Sequence, residues 1–452
     1  METLQPGFGV SFAELYTRPG LQKVDQAFLN FLQQAEPALA ERLAAARSAP
    51  SSLQAKDESA LLLDLSPVLE RFLSQLFGIA DEVLELASRH DALSPLWNVK
   101  RQFVQRKAQS RIKPEEAQQI DGLALEAELR ALCGQSQDKA GDENILDELA
   151  YARQVELWLQ DEAAHATQLE LALRYAGWAL HTEAGRARVR AGVLFKAPGK
   201  TDPQNLLPHV HATQKEGVTE HRIAAGHERQ REGFKLTDQG TDLKGALDHA
   251  NYCIWCHKQG KDSCSRGLRD KADPAQPQAI VFKKSPFGVT LAGCPLEEKI
   301  SEFHSAKTQG LALSALAIIC VDNPMAAATG HRICNDCMKA CIYQKQEPVN
   351  IPEAETRTLK DVLELPWGFE IYSLLTRWNP LNIRRPLPLP RSGYRVLVAG
   401  MGPAGFSLSH QLMNDGHSVV GIDGLKIESL PEHLSGVRED GSRVPFAPIH
   451  DI

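Results

Sequence analysis

No run of apolar residues in this sequence is long enough to cross a bilayer as a helix. The longest, Leu311–Val321, is about eleven residues with a serine inside it, whereas a spanning helix needs roughly twenty. Met1–Leu21 lacks the charged start and apolar h-region of a secretory signal. An excess of one charge sign is missing too. Lys and Arg number 50 against 57 Asp and Glu, a formal net charge of −7, so nothing global draws the chain to nucleic acid or to an anionic membrane surface. The expectation is a cytoplasmic protein with neither nucleic-acid nor membrane partners. Cysteine is nearly absent from the first 250 residues, where Cys133 stands alone on a helical segment and reads as an inert core residue.

What is present first is helical periodicity. The 452 residues are 43% hydrophobic and 24% charged, ordinary for a globular protein and enough for roughly two to four domains. Residues 1–200 read as a helical domain of unassigned role. Gln22–Arg47 places Phe28, Leu32, Leu39 and Leu43 at helical spacing, with Pro37 kinking or splitting the segment. Ser66 as N-cap and Pro67 at the first helical position open the next helix, followed by Leu69, Phe72, Leu73 and Leu76. Glu115–Leu132 and Asn144–Leu180 continue the pattern.

Glu162-Ala-Ala-His165 has the Glu-x-x-His spacing of di-iron bundles, but no second copy accompanies it, and a solvated i, i+3 pair is the better reading. Residues 201–250 read as a loop-rich connection. His209, His211, His221 and His227 lie in it, with no cysteine or carboxylate at a helical spacing that would complete a known metal site.

Eight of the nine cysteines fall within 251–378, which reads as an α-helical iron–sulfur domain. They are Cys253-x-x-Cys256, Cys264, Cys294 before Pro295, Cys320, and Cys334-x-x-Cys337-x-x-x-Cys341. In a reducing compartment such clusters are ligands or catalysts before they are disulfides. A four-iron cluster needs four soft anionic ligands, and a C-x-x-C loop wraps one face of it while backbone N–H groups point at the sulfurs. Eight thiols match two [4Fe-4S] clusters. A cysteine before proline is the one that, in bacterial ferredoxin runs, ligates the other cluster. Structural zinc is the rival, although the two C-x-x-C pairs stand some eighty residues apart, against roughly 15–20 in a compact ribbon.

Residues 379–392, with Pro380, Pro386, Pro388 and Pro390, read as an extended linker. Within 393–452 a strand at Tyr394–Ala399 is followed by Gly400-Met401-Gly402-Pro403-Ala404-Gly405 and a helix. A second strand, Ser418–Ile422, then ends at Asp423. Gly400 allows the tight turn, Gly402 lets backbone approach a pyrophosphate and Gly405 lets helix and strand pack closely. The helix N-terminus faces the phosphates, and Asp423 is placed to accept from a ribose hydroxyl. Pro403 and Ala404 complete the candidate site.

The order Cys-x-x-Cys, Cys, Cys-Pro-Leu, helix, Asn-Pro, Thr-Gly-His-Arg-Ile-Cys, Cys, Cys, Gly-x-Gly-Pro-Ala-Gly resembles the small (beta) subunit of glutamate synthase over about Asn251 to Asp423. It is also similar to the N-terminal part of dihydropyrimidine dehydrogenase. The resemblance implies an all-helical domain with two four-iron clusters ahead of FAD and NAD(P)H domains. It matches Cys253, Cys256, Cys264 and Cys294 to a first ligand group and Cys334, Cys337 and Cys341 to a second. Where the family's second group begins with a cysteine this chain has Thr329, which makes Cys320 the candidate fourth ligand.

The expected fold is therefore multidomain: a mainly α N-terminal region and cluster domain, then the incomplete start of an α/β Rossmann-like dinucleotide-binding domain. Only 29 residues follow Asp423, so the remaining flavin and pyridine-nucleotide domains, on the same or another chain, are expected partners, with a possible catalytic subunit. The expected function is electron transfer between FAD and the clusters of an NAD(P)H-dependent oxidoreductase. A zinc-stabilised helical interaction module with a nucleotide-binding end is the alternative. No acid–base residue is assigned to catalysis.

Overall fold

The computed structural model describes residues 4–134, 145–206, 210–225, 228, 231–234, 240–271, 280–330, 333–424, 428, 430–446 and 449. It is multidomain and mainly helical, with one antiparallel and one parallel two-stranded sheet among the described residues. Two large hydrophobic cores organise the helices. The first joins Val24, Phe28, Leu32, Leu69 and Phe72 to Phe303, Leu316, Ile319 and Val362, so residues up to Leu86 share an interior with the cysteine region. Trp378, fully buried, ties the two halves together. Its ring meets Phe28 and Phe72 at 6.0 and 5.9 Å, and its indole N–H donates to Asp25 at 2.9 Å. The second core, built on Trp97, Phe103, Leu129, Tyr151, Tyr175 and Phe195, belongs to residues 96–195 with Leu247. The 1–200 segment thus contributes to two interiors.

Pro37 splits its segment into helices Arg18–Ala35 and Pro37–Ser48. Pro67 instead lies inside the helix Ala55–Phe77. Ser66 does not cap; its hydroxyl donates back to the Leu62 carbonyl at 2.8 Å. Leu62, Leu65, Leu69, Phe72 and Leu76 press one stripe of this helix into the core on both sides of the proline, which outweighs the backbone hydrogen bond lost there. The Asn144–Leu180 expectation resolves into helices Glu148–Trp158 and Ala166–His181, and Glu115–Leu132 into Pro114–Ala117 and Gly122–Cys133. Glu162, in the turn before Ala166–His181, is taken up by Lys107 at 2.7 Å, and His165 Nδ1 is buried without a hydrogen-bond partner among the described residues.

The loop-rich connection holds a hairpin that periodicity did not show. Val210–Lys215 pairs with Val218–Ile223 about Glu216-Gly217, whose φ of 51° and 81° are those of a tight hairpin turn. His211 and His221 lie exposed on its strands; His209 and His227 lie outside the described residues. Between Cys264 and Cys294 the chain forms isolated bridges, Arg269 with Phe282 and Lys284 with Thr290. The proline-rich linker is not a free spacer. Leu381 and Ile383 are buried in the first core. Arg384 bonds Glu58 at 2.8 Å, and Arg385 pairs with Asp415 at 2.5 Å.

A charge pair locks the cysteine-region helices Ile300–Thr308 and Ile351–Leu363 together. Lys307 Nζ lies 2.6 Å from Asp361, both side chains fully enclosed, and Arg357 Nε reaches the same carboxylate at 2.6 Å. Burial pushes the Asp361 carboxyl up, but Lys307 and Arg357 beside it prevail and hold it below the usual carboxylate range. Asp361→Ala leaves the Lys307 ammonium buried without its counter-ion. The expected loss is about 3–5 kcal/mol, read from denaturant midpoints; a loss under about 1 kcal/mol would contradict this account.

His304 is fully buried, and neither ring nitrogen has a hydrogen-bond partner among the described residues. Burial, with His249 and Lys307 nearby, holds its pKa down to about 3 from 6.5. The neutral ring therefore supports folding fully above pH 6.5, and that support is lost as pH falls toward the folded value, by about 1.4 kcal/mol per unit. His304→Phe, beside Phe303 at 4.3 Å, removes the titration. Between about pH 6.5 and 5 the wild type is expected to lose about 2 kcal/mol relative to the variant. Parallel stability curves would refute it.

Candidate metal centres and nucleotide turn

The thiols sort by which backbone carries them back to a shared point. Cys253 is the residue at which helix Leu243–Tyr252 ends, and Trp255, at φ 52°, turns the chain beside it; the Trp255 backbone favours the charged form of the Cys253 thiol, against burial. Cys256 opens the short 3-10 turn Cys256–Gln259, and the Ser263 backbone favours its charged form. Cys264 sits in Ser263–Arg266, and its thiol donates to Asp262 Oδ1 at 3.0 Å. Cys341 follows helix Asp336–Lys339, and the backbone of Tyr343, Val349 and Ile342 favours its charged form against burial. Repulsion links these four: the Cys253 thiol is raised in part by Cys256 and Cys341, that of Cys256 by Cys341, and that of Cys264 by Cys253 and Cys341. Tyr252 and Tyr343 stack at 4.4 Å and 9°, and the Tyr343 hydroxyl donates to the Tyr252 carbonyl, which pins the Cys341 loop to the Cys253 loop.

The Cys294 thiol is instead raised in part by Glu298 and Cys334, and that of Cys337 by Glu298, Cys294 and Glu355. These interactions associate Cys341 with the first thiols and Cys294 with Cys334 and Cys337, whereas the resemblance groups Cys294 with the first set. The Cys294 amide donates to the Cys264 carbonyl at 2.8 Å, so the two groups are neighbours along the backbone. Burial pushes the Cys253 thiol up to about 12 and those of Cys256 and Cys294 to about 11. These groups are thiols until a metal displaces their protons. Among the described residues no three His, Cys, Asp or Glu side chains close on one point as a single ion requires. The donors a cluster would need are present in kind: soft thiols, with nearby backbone groups favouring the charged form of Cys253, Cys256, Cys294, Cys337 and Cys341.

Cys320 differs. It lies in helix Ala312–Asp322 with its amide committed to the helix, burial raises its thiol, and its charged neighbours are Glu355 and Glu298. Among the described residues no backbone group favours its charged form. Periodicity did not single out Glu298 or Glu355. Both are buried, and burial and their mutual repulsion push Glu355 well above the usual carboxylate range. Asn323 Nδ2 donates to Glu355 at 3.0 Å, and Thr329 donates to Asn323 at 2.8 Å. Thr329, where the resembling family has cysteine, thus supports a carboxylate. One signal was readable: Glu355, Thr358, Leu359 and Val362 share the buried stripe of their helix.

The glycine turn has the mechanics its spacing implied. Arg395–Ala399 and Ser418–Ile422 pair in parallel, connected by helix Pro403–Asn414. Gly400 has φ 93°, a conformation side chains disfavour. A Cβ on Gly405 would stand 1.8 Å from the Gly400 carbonyl oxygen, whereas one on Gly402 would meet nothing within 4 Å. Pro403 and Ala404 form the first helical turn, which no side chain caps among the described residues. Asp423 accepts from the Met401 and Gly424 amides, each at 2.6 Å. In this form the acid braces the turn.

Residues 6–78 match the family model described as the RP005 N-terminal alpha-helical domain. "Uncharacterized protein RP005" of Rickettsia prowazekii (strain Madrid E) is 31% identical over 315 residues, 68% of this chain and 99% of that protein. The chain belongs to the RP005 family. "Uncharacterized protein RP006" of the same organism is 66% identical over 106 residues, 24% of this chain but only 15% of that protein. The chain thus spans a small part of RP006 and nearly all of RP005. No solved structure matches it.

Proposed function

We propose that this chain is the electron-transfer part of an NAD(P)H-dependent flavin and iron–sulfur oxidoreductase resembling the glutamate synthase small subunit. The reading is supported by seven thiols that interact electrostatically as two sets, with nearby backbone groups favouring the charged form of Cys253, Cys256, Cys294, Cys337 and Cys341. Cys253, Cys256, Cys264 and Cys341 would hold one [4Fe-4S] cluster. Cys294, Cys334 and Cys337 would hold the second, with a carboxylate from Glu298 or Glu355 as fourth ligand in place of Cys320. Such clusters accept and pass single electrons when bound. The protein's part is to set their potential through burial and N–H donation.

Gly400, Gly402, Pro403, Ala404 and Gly405 would hold the pyrophosphate of FAD at the open helix N-terminus, and Asp423 would turn to a ribose hydroxyl. This βαβ start of a Rossmann-like fold leaves Leu397, Val420 and Ile422 exposed at 64, 57 and 47%. The further strands of a flavin domain, in the same or another polypeptide, would cover them, and a catalytic partner subunit would receive the electrons. Electron paramagnetic resonance of the dithionite-reduced, anaerobically isolated chain tests the reading. Two reduced-cluster signals are expected; a silent spectrum from protein that still contains iron would overturn it.

A further inference from the structure

A cavity of about 720 Å³ opens beside Cys253, where the second core meets the cysteine region. Its size is that of a small-molecule site. Tyr252, Trp255 and Tyr343 line it from the cysteine side, and Trp97, Lys100 and Arg101 from the other. Three observations mark it as built for a ligand. The Tyr252–Tyr343 stack and Trp255 offer flat apolar faces. The Trp97 indole N–H is buried in a residue 5% exposed and has no partner among the described residues. The wall Lys100–Ala108 winds in wide π turns, which recur at functional sites.

Charge sets the ligand's sign. Lys100 is matched by Asp248 at 2.6 Å. That leaves Arg101, Lys196 and Lys200 against one further carboxylate on the lining, Glu347.

We propose that this cavity binds a planar aromatic anion, an acidic quinone, beside the first thiol group. If the function proposed above holds, the bound quinone would take two electrons from the reduced nicotinamide and two protons, one from the nicotinamide's hydride and one from solvent, leaving hydroquinone and oxidised nicotinamide. That electron route rests on the function proposed above; the binding site does not.

The test titrates 9,10-anthraquinone-2-sulfonate into the full chain and follows tryptophan fluorescence, with metal content measured on the same preparation. Saturable quenching is expected, weakened about tenfold or more by the exposed-site double variant Lys196→Glu/Lys200→Glu, and retained after iron is removed with a chelator. Sulfate, added alone as competitor, is expected to displace the probe only at far higher concentration. No saturable quenching, or equal affinity in a folded double variant, overturns the site. Saturable, charge-dependent binding to a colourless zinc-loaded chain supports the site while removing the electron route.

Discussion

Cys341→Ser is expected to remove the same iron as Cys253→Ser, and Cys294→Ser the same iron as Cys337→Ser. Each single variant, isolated anaerobically, should lose about four of roughly eight irons and keep the spectrum of the other centre. Double variants make the test sharper. Cys253→Ser/Cys341→Ser should retain about four irons, whereas Cys253→Ser/Cys294→Ser should retain almost none. The reverse outcome would restore the grouping implied by sequence order, in which Cys294 serves the first centre. Cys320→Ala should keep the full complement, because among the described residues no backbone group favours the charged form of its thiol and its neighbours are the carboxylates Glu298 and Glu355. Loss of about four irons from that variant alone would return Cys320 to the ligand set.

Gly402→Val is expected to abolish dinucleotide binding while leaving the fold intact. A Cβ there meets no protein atom within 4 Å, so the branched side chain occupies the space a pyrophosphate would need. The expected loss in affinity for FAD is about a hundredfold or more, on the order of 3 kcal/mol, measured by calorimetry on the chain with unchanged melting behaviour. Gly405→Val is the contrasting control. Its Cβ would collide with the Gly400 carbonyl, so it should destabilise the strand–helix unit itself. Undiminished FAD affinity in Gly402→Val would remove the nucleotide assignment.

The two sites were legible to different depths because they depend on chain separation differently. The glycine turn is local: within Tyr394–Asp423, spacing alone placed both strands, the helix and the special φ of Gly400. In the cysteine region the spacing of the thiols was legible, but their tertiary neighbours were not. Cys264 and Cys294 stand thirty residues apart in sequence, yet the Cys294 amide bonds the Cys264 carbonyl while its thiol is raised in part by Cys334. Only tertiary folding decides which way that side chain turns.

Glu298 and Glu355 escaped for a related reason. A buried acid looks like any surface acid until its helix is docked, although the phase of Glu355 with Leu359 and Val362 was visible. Pro67 misled because N-terminal proline chemistry is a local preference. The apolar stripe from Leu62 to Leu76 is a tertiary one and prevailed. The hairpin at Val210–Ile223 carries its signal in Glu216-Gly217, but its strands are exposed on both faces and so lack the alternation that marks a half-buried strand.

The most direct test of the central claim is metal and sulfide analysis, with an absorption spectrum, of the chain isolated under anaerobic conditions. The account predicts a brown protein with about eight irons and eight sulfides per chain and no stoichiometric zinc. A colourless protein holding one or two zinc ions and no acid-labile sulfide would contradict it.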